Sequence, residues 1–190
     1  NRKLDKSKLN LKKIPRPLAI CYSIQYKEIA EQIKKQIPNL TAFLQVLGCS
    51  KPKFPKNTKA ILLISDGKFH AISLAYESKL PVYLFSNNNL QKISKEDVSS
   101  LEKKQKGAYL KYLHSEKIGI LVSTTPGQEN LKKALEFAKS HKDKDSYLFI
   151  ASNINTNEFE NFPQIESWIN TSCPRMDMNN ASIINISQIV

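Results

Sequence analysis

Ala60-Ile61-Leu62-Leu63-Ile64-Ser65-Asp66-Gly67-Lys68-Phe69-His70 reads as a buried strand, a tight turn and the start of a helix. Five apolar residues without alternation suit a strand covered on both faces, which is the habit of parallel sheets. Gly67 allows the sharp turn, and Asp66 is placed to cap the helix, whose spacing predicts it over Phe69 to Ser78. A second apolar run, Pro81-Val82-Tyr83-Leu84-Phe85, then returns the chain as another strand. Strand, helix and strand in this order form a crossover unit of an α/β fold.

The same rhythm extends in both directions. Before it stand a strand at Leu18-Ala19-Ile20-Cys21-Tyr22, a helix from Gln25 to Ile37 stopped by Pro38, and a strand from Thr41 to Leu47. After it come an Asn-rich turn at Asn87-Asn88-Asn89 and a long helix from Lys95 to His114. A second set follows: a strand at Ile118-Gly119-Ile120-Leu121-Val122, a helix from Gly127 to His141, and strands at Tyr147-Leu148-Phe149-Ile150 and Ser167-Trp168-Ile169. The expected fold class is α/β, as two similar small domains with largely parallel sheets flanked by helices. The expected division is a basic lead-in over 1–16, a domain over 17–110 and a domain over 111–190.

Composition narrows the function. With 41% hydrophobic residues, the 190-residue chain can bury a proper core and is not of disordered composition. No stretch has the apolar length to cross a bilayer, and no apolar segment follows the basic residues near Asn1, so no signal peptide is expected. The net charge is +12, yet seven of the 29 basic residues fall within 1–16. The remainder is Lys used as a general solvated residue, without aromatic residues interleaved, which argues against a nucleic-acid surface.

Three cysteines, far apart and odd in number, fit a reducing compartment better than a disulfide framework. Cys49 closes Val46-Leu47-Gly48-Cys49, and Cys173 lies in Trp168-Ile169-Asn170-Thr171-Ser172-Cys173-Pro174-Arg175. Neither has a neighbouring cysteine, so a local zinc knuckle is excluded. A shared task would need the fold to bring them together at strand ends, where open α/β sheets hold ligands. Arg175 beside Cys173 favours the metal-binding thiolate. The plainer reading of a free cysteine is a small buried apolar residue, and Cys21, inside a strand, fits that best. A third candidate is Ser123-Thr124-Thr125-Pro126-Gly127-Gln128, read as a capping box with Thr125 at the cap and Pro126 in the first turn. Such a helix start can receive a carboxylate or phosphate.

Four phrases carry a resemblance: Val46 to Cys49, Ile64 to His70, Gly119 to Thr124 followed by Gly127-Gln128, and Trp168 to Arg175. In order and spacing the chain resembles the archaeal 2-(3-amino-3-carboxypropyl)histidine synthase family, the first enzyme of diphthamide biosynthesis, over roughly 17–190. The resemblance implies a cytoplasmic iron–sulfur enzyme whose subunit has three similar domains, each giving one cysteine to a [4Fe-4S] cluster. This chain would hold the second and third domains, with Cys49 and Cys173 as metal ligands and Cys21 outside the ligand set. One iron would be left for S-adenosylmethionine, whose cleavage gives a 3-amino-3-carboxypropyl radical that adds to a histidine of translation elongation factor 2. Gly127 and Gln128 are expected at the amino-acid end of S-adenosylmethionine. Asp66, Gly67, His70 and Arg175 are expected to line the pocket, and the intact enzyme is expected to be a homodimer. Asn179 stands where the family usually has an acid. The alternatives are a non-catalytic partner subunit of such an enzyme and a basic RNA-binding α/β module.

Overall fold

The computed structural model describes residues 5, 9–47, 50–174, 176 and 182–189. The chain divides into two compact units, Asn1–Ser100 and Leu101–Val190.

The first unit builds one sheet from β1 (Leu18–Tyr22), β2 (Ala42–Gln45), β3 (Ala60–Ile64), β4 (Val82–Ser86) and β5 (Asn89–Lys92). Their spatial order is β2-β1-β3-β4-β5, with β1 parallel to β2 and β3, and β3 parallel to β4. Both β1 and β3 are buried at every position, as unbroken apolar runs require. Alternate residues serve opposite faces. Leu18, Ile20, Leu62, Ile64 and Phe85 form one core with Ala30 and Ile33 of α1 (Lys27–Lys34). Ala19, Cys21, Ile61, Leu63 and Leu84 form the other with Ala71 and Leu74 of α2 (Lys68–Ser78). Full burial of each large side chain here contributes about 1.5–3 kcal/mol.

Leu9 and Ile14 also join the α1-side core, so the basic lead-in is anchored by its few apolar residues. Strand β5 has no apolar alternation and escaped the sequence reading. It pairs antiparallel with β4 through a two-residue turn, Asn87-Asn88, whose φ angles are +48° and +60°. Paired positive φ is the signature of the hairpin turn that matches strand twist, and Asn tolerates it better than other non-glycine residues. The first helix is also shorter than its pattern: Ile24–Tyr26 forms a 3-10 turn ahead of α1.

The long helix α3 (Lys95–His114) leads into the second sheet, made of β6 (Lys117–Ser123), β7 (Asp145–Ala151), β8 (Ser167–Asn170) and β9 (Ile183–Asn185). The order is β7-β6-β8-β9, all parallel. Ile118, Ile120, Val122 and Ile169 pack on Ala134 and Phe137 of α4 (Leu131–Ser140) and on Ala108 and Tyr112 of α3. The opposite face is closed by aromatic residues. Phe159 stacks on Trp168 with ring centroids 3.9 Å apart, and Phe149 meets the same indole edge-on at 4.7 Å. A Cβ at Gly119 would lie 2.5 Å from Trp168 Cε3, so this position must be glycine for the indole to lie flat on the sheet.

Both sheets follow one plan. Counting strands in chain order within each unit, the first lies between the second and the third, so the winding reverses there. At that reversal the carboxyl ends of adjacent parallel strands open a crevice suited to ligands.

Candidate functional site

In the second unit the crevice lies between the ends of β6 and β8. The chain leaves β6 at Ser123, whose hydroxyl accepts the Thr125 N–H at 3.0 Å. Thr125 Oγ1 donates to Ser152 O at 2.8 Å, so it does not cap a helix. Gln128 N donates to Thr125 O at 3.0 Å, closing a turn with Pro126 and Gly127 in its middle and Gly127 at φ +81°. Proline followed by a positive-φ glycine is the sequence of a type II β-turn. The expected capping box is therefore corrected. Helix α4 begins at Leu131, with Asn130 at its cap position and no side-chain cap bond. Thr-Pro-Gly-Gln satisfies both patterns, and the glycine conformation decides for the turn. The anion site expected at a helix start on Gly127 goes with the capping box.

The loop after β8 is bound to this turn. Asn130 Nδ2 donates to Thr171 O at 2.8 Å, and Ser172 Oγ donates to Gln128 Oε1 at 3.2 Å. Thr171 Oγ1 and N both donate to Leu121 O, at 2.8 and 3.2 Å, tying the loop back to β6. Gln128 is thus brought to the residue next to Cys173. Cys173 is a free thiol of intermediate exposure. Two asparagines hold its carbonyl and that of Pro174: Asn170 Nδ2 lies 2.8 Å from Cys173 O, and Asn185 Nδ2 lies 3.0 Å from Pro174 O.

In the first unit, Ser23 follows β1 and Ser65 follows β3, both buried. Ser23 Oγ donates to Ser65 Oγ at 3.2 Å, and Ser65 Oγ lies 3.1 Å from Nδ1 of His70 in the first turn of α2. The helix cap is Gly67, at φ +81° and ψ 140°, and not Asp66, which lies one residue earlier. A backbone conformation that side-chain-bearing residues rarely adopt explains the glycine here. Lys68 does not reach toward the crevice. Its Nζ lies 2.8 and 2.7 Å from the two oxygens of Asp97, an ion pair that holds the Asp97 carboxyl below its usual value, with the Ser94 hydroxyl adding to the effect.

The thiols separate by environment. Cys21 is fully buried in β1, and burial pushes its thiol up to about 12, so it stays protonated and inert. Cys173 sits on an accessible loop at a strand's carboxyl end, where a soft thiolate suits an iron–sulfur centre. Among the described residues no three His, Cys, Asp or Glu side chains gather as a metal site. Cys49, Arg175 and Asn179 lie outside the described residues. By sequence position Cys49 follows the second strand of its unit and Cys173 the third of its own, so the two are not at matching points of the shared plan. Sequence reasoning missed Ser23, Asn130 and Asn185 as site-building residues, because each acts through a partner distant in sequence.

The family model described as "Putative diphthamide synthesis protein" matches residues 1–183. The 2-(3-amino-3-carboxypropyl)histidine synthase of Methanocaldococcus jannaschii is 28% identical over 179 residues, covering 91% of this chain and 48% of that protein. Subunit 1 of the synthase of Schizosaccharomyces pombe is 30% identical over 142 residues, covering 71% of this chain and 32% of that protein. The chain thus spans less than half the length of these relatives. Among solved structures, Dph2 from Pyrococcus horikoshii with a 4Fe-4S cluster superposes with a TM-score of 0.73 at 21% identity, over 94% of this chain and 57% of that one. That likeness establishes the shared α/β fold.

Proposed function

Since the chain belongs to the diphthamide synthesis protein family, we propose that it contributes thiolate ligands and substrate contacts to a 2-(3-amino-3-carboxypropyl)histidine synthase acting on translation elongation factor 2. The observation that carries this reading is the Cys173 loop. Its thiol is accessible at the β6/β8 crevice while the Cys21 thiol is sealed in the core. Cys173 and Cys49 are the thiolates this chain would give to a [4Fe-4S] cluster. When bound, that group supplies one electron to S-adenosylmethionine, whose carbon–sulfur bond then breaks to give the 3-amino-3-carboxypropyl radical that adds to the target imidazole.

The chain's own residues have simpler tasks. Gly127 turns the backbone so that Gln128 meets Ser172 beside Cys173. Because the Gln128 carbonyl is used by Ser172, its amide N–H groups are the part suited to the carboxylate of S-adenosylmethionine. Asp66, Gly67 and His70 are proposed as cofactor contacts of the first unit, with Ser65 Oγ 3.1 Å from Nδ1 of His70, and Arg175 as a cofactor contact contributed by the second unit. The enzyme acts in the cytoplasm as a homodimer.

The test is anaerobic label transfer. The chain is reconstituted with iron, sulfide and excess dithiothreitol as the third thiol ligand, and mixed with archaeal elongation factor 2, a reductant and S-adenosylmethionine labelled in its amino-acid portion. Label on the elongation factor that disappears with Cys173→Ser is expected. No label with the wild-type chain under these conditions overturns the catalytic reading. A second reading, a partner subunit, is favoured by relatives that are named subunit 1 of the synthase. It predicts transfer only after a full-length synthase is added, at a rate the chain increases.

A further inference from the structure

Asn170 ends β8 and Asn185 ends β9, and the parallel register sets them directly opposite each other. They are 2% and 6% exposed, among the few buried polar residues of the described chain. Buried amides are costly unless every group finds a partner, and here the partners are complete. Asn170 Nδ2 donates to Asn185 Oδ1 at 2.6 Å and to Cys173 O at 2.8 Å, and Asn170 Oδ1 accepts the Ser172 N–H at 2.9 Å. Asn185 Nδ2 donates to Pro174 O at 3.0 Å. The far side of Asn185 is braced by a reciprocal capping box with Gln188, whose Oε1 accepts the Asn185 N–H at 3.0 Å.

We propose that the Asn170–Asn185 pair positions the Cys173 thiol, by drawing the carbonyls of Cys173 and Pro174 into the sheet edge and so setting the loop before any metal arrives. A hydrophobic pair would serve packing equally well at these two positions. What the two amides add is a donor for each carbonyl that brackets the thiol's peptide bond, plus an acceptor for the N–H just before it. The loop from Thr171 to Pro174 therefore has its shape from the protein alone, in the manner of the hydrogen bonds that orient metal ligands. What the loop serves rests on the reading of Cys173 as a cluster ligand. Its shape is tested without iron, so failure of this proposal and failure of that reading are distinguishable.

The experiment uses the full chain, free of iron, and reads two local signals. One is native alkylation of Cys173 by iodoacetamide, resolved by peptide mass. The other is amide hydrogen exchange in a peptide covering 171–176, with β6 as the internal reference. Asn185→Asp keeps the size and the acceptor but loses the donor to Pro174 O, and Asn170→Ala loses the side-chain donor to Cys173 O, leaving the Met176 N–H at 3.1 Å. Gln188→Ala removes the side-chain half of the brace without touching either carbonyl. Expected is a several-fold rise in both signals for Asn185→Asp and Asn170→Ala, with β6 protection unchanged and Gln188→Ala like the wild type. Wild-type signals in Asn185→Asp, or an equal rise in Gln188→Ala, overturn the proposal. If Asn170→Ala fails to fold, the contrast between Asn185→Asp and Gln188→Ala decides alone.

Discussion

Cys21 and Cys173 differ first in their exposure, the one buried and the other intermediate. Cys21, on β1, has its pKa raised from 9.0 to about 12 by burial. A raised value means that the folded state prefers the neutral thiol. Its contribution to stability is in place below pH 9 and is lost as pH climbs toward 12. Native alkylation at pH 8 is therefore expected to modify Cys173 and to spare Cys21 until denaturant is added. Equal native labelling of the two would contradict the assignment. Gly119 is equally specific. With Trp168 Cε3 2.5 Å from where a Cβ would sit, Gly119→Ala is expected to overpack the aromatic cluster. The expected cost is about 1–3 kcal/mol, read as a lowered denaturation midpoint with an unchanged slope.

At the scale of elements, the start of α3 is capped by Ser94. Ser94 Oγ accepts the Asp97 N–H at 3.1 Å and donates to Asp97 Oδ2 at 2.8 Å, while Lys68 pairs with the same carboxylate. Ser94→Ala is expected to cost about 1 kcal/mol. The Asp97 pKa is lowered in the fold from 3.8, so its contribution is present above about pH 4 and fades as acid carries it through its folded value. The gap in thermal midpoint between wild type and Asp97→Asn is expected to be constant above about pH 5 and to shrink as the pH is lowered below about 4. A gap that stays constant would place the effect in helix propensity instead.

These elements also mark what a sequence discloses. Strands β1 and β3 were legible to the residue, because an unbroken apolar run admits one reading, and helix α3 was legible in approximate extent. The start of α4 was not, because Thr125-Pro126-Gly127-Gln128 suits a helix cap and a β-turn alike and only the Gly127 backbone distinguishes them. Strand β5 is a solvated edge held by its hairpin turn, so it carries no apolar signature. Cys173 stood out by its proline and its place after an apolar run. The amides that hold its loop did not, because Asn170 and Asn185 meet only through the β8/β9 register.

Over the whole molecule, two units share a strand order and use it differently. The first unit's crevice carries a serine–serine–histidine chain, and the second carries a thiol loop cross-tied to the turn that presents Gln128. In a full-length relative of the archaeal type, replacing the residue equivalent to Gln128 by Ala is expected to weaken S-adenosylmethionine binding about tenfold or more, the loss of one hydrogen bond to a charged group. Unchanged affinity in a titration would remove Gln128 from the pocket.

The most direct test of the account is iron loading of this chain itself. Anaerobic reconstitution with iron, sulfide and excess dithiothreitol as an external thiol ligand is followed by iron analysis and the visible spectrum. Iron–sulfur absorbance is expected in the wild type and in Cys21→Ser, and its loss in Cys173→Ser and Cys49→Ser. Loading that survives both of those substitutions, or that fails in the wild type, would contradict it.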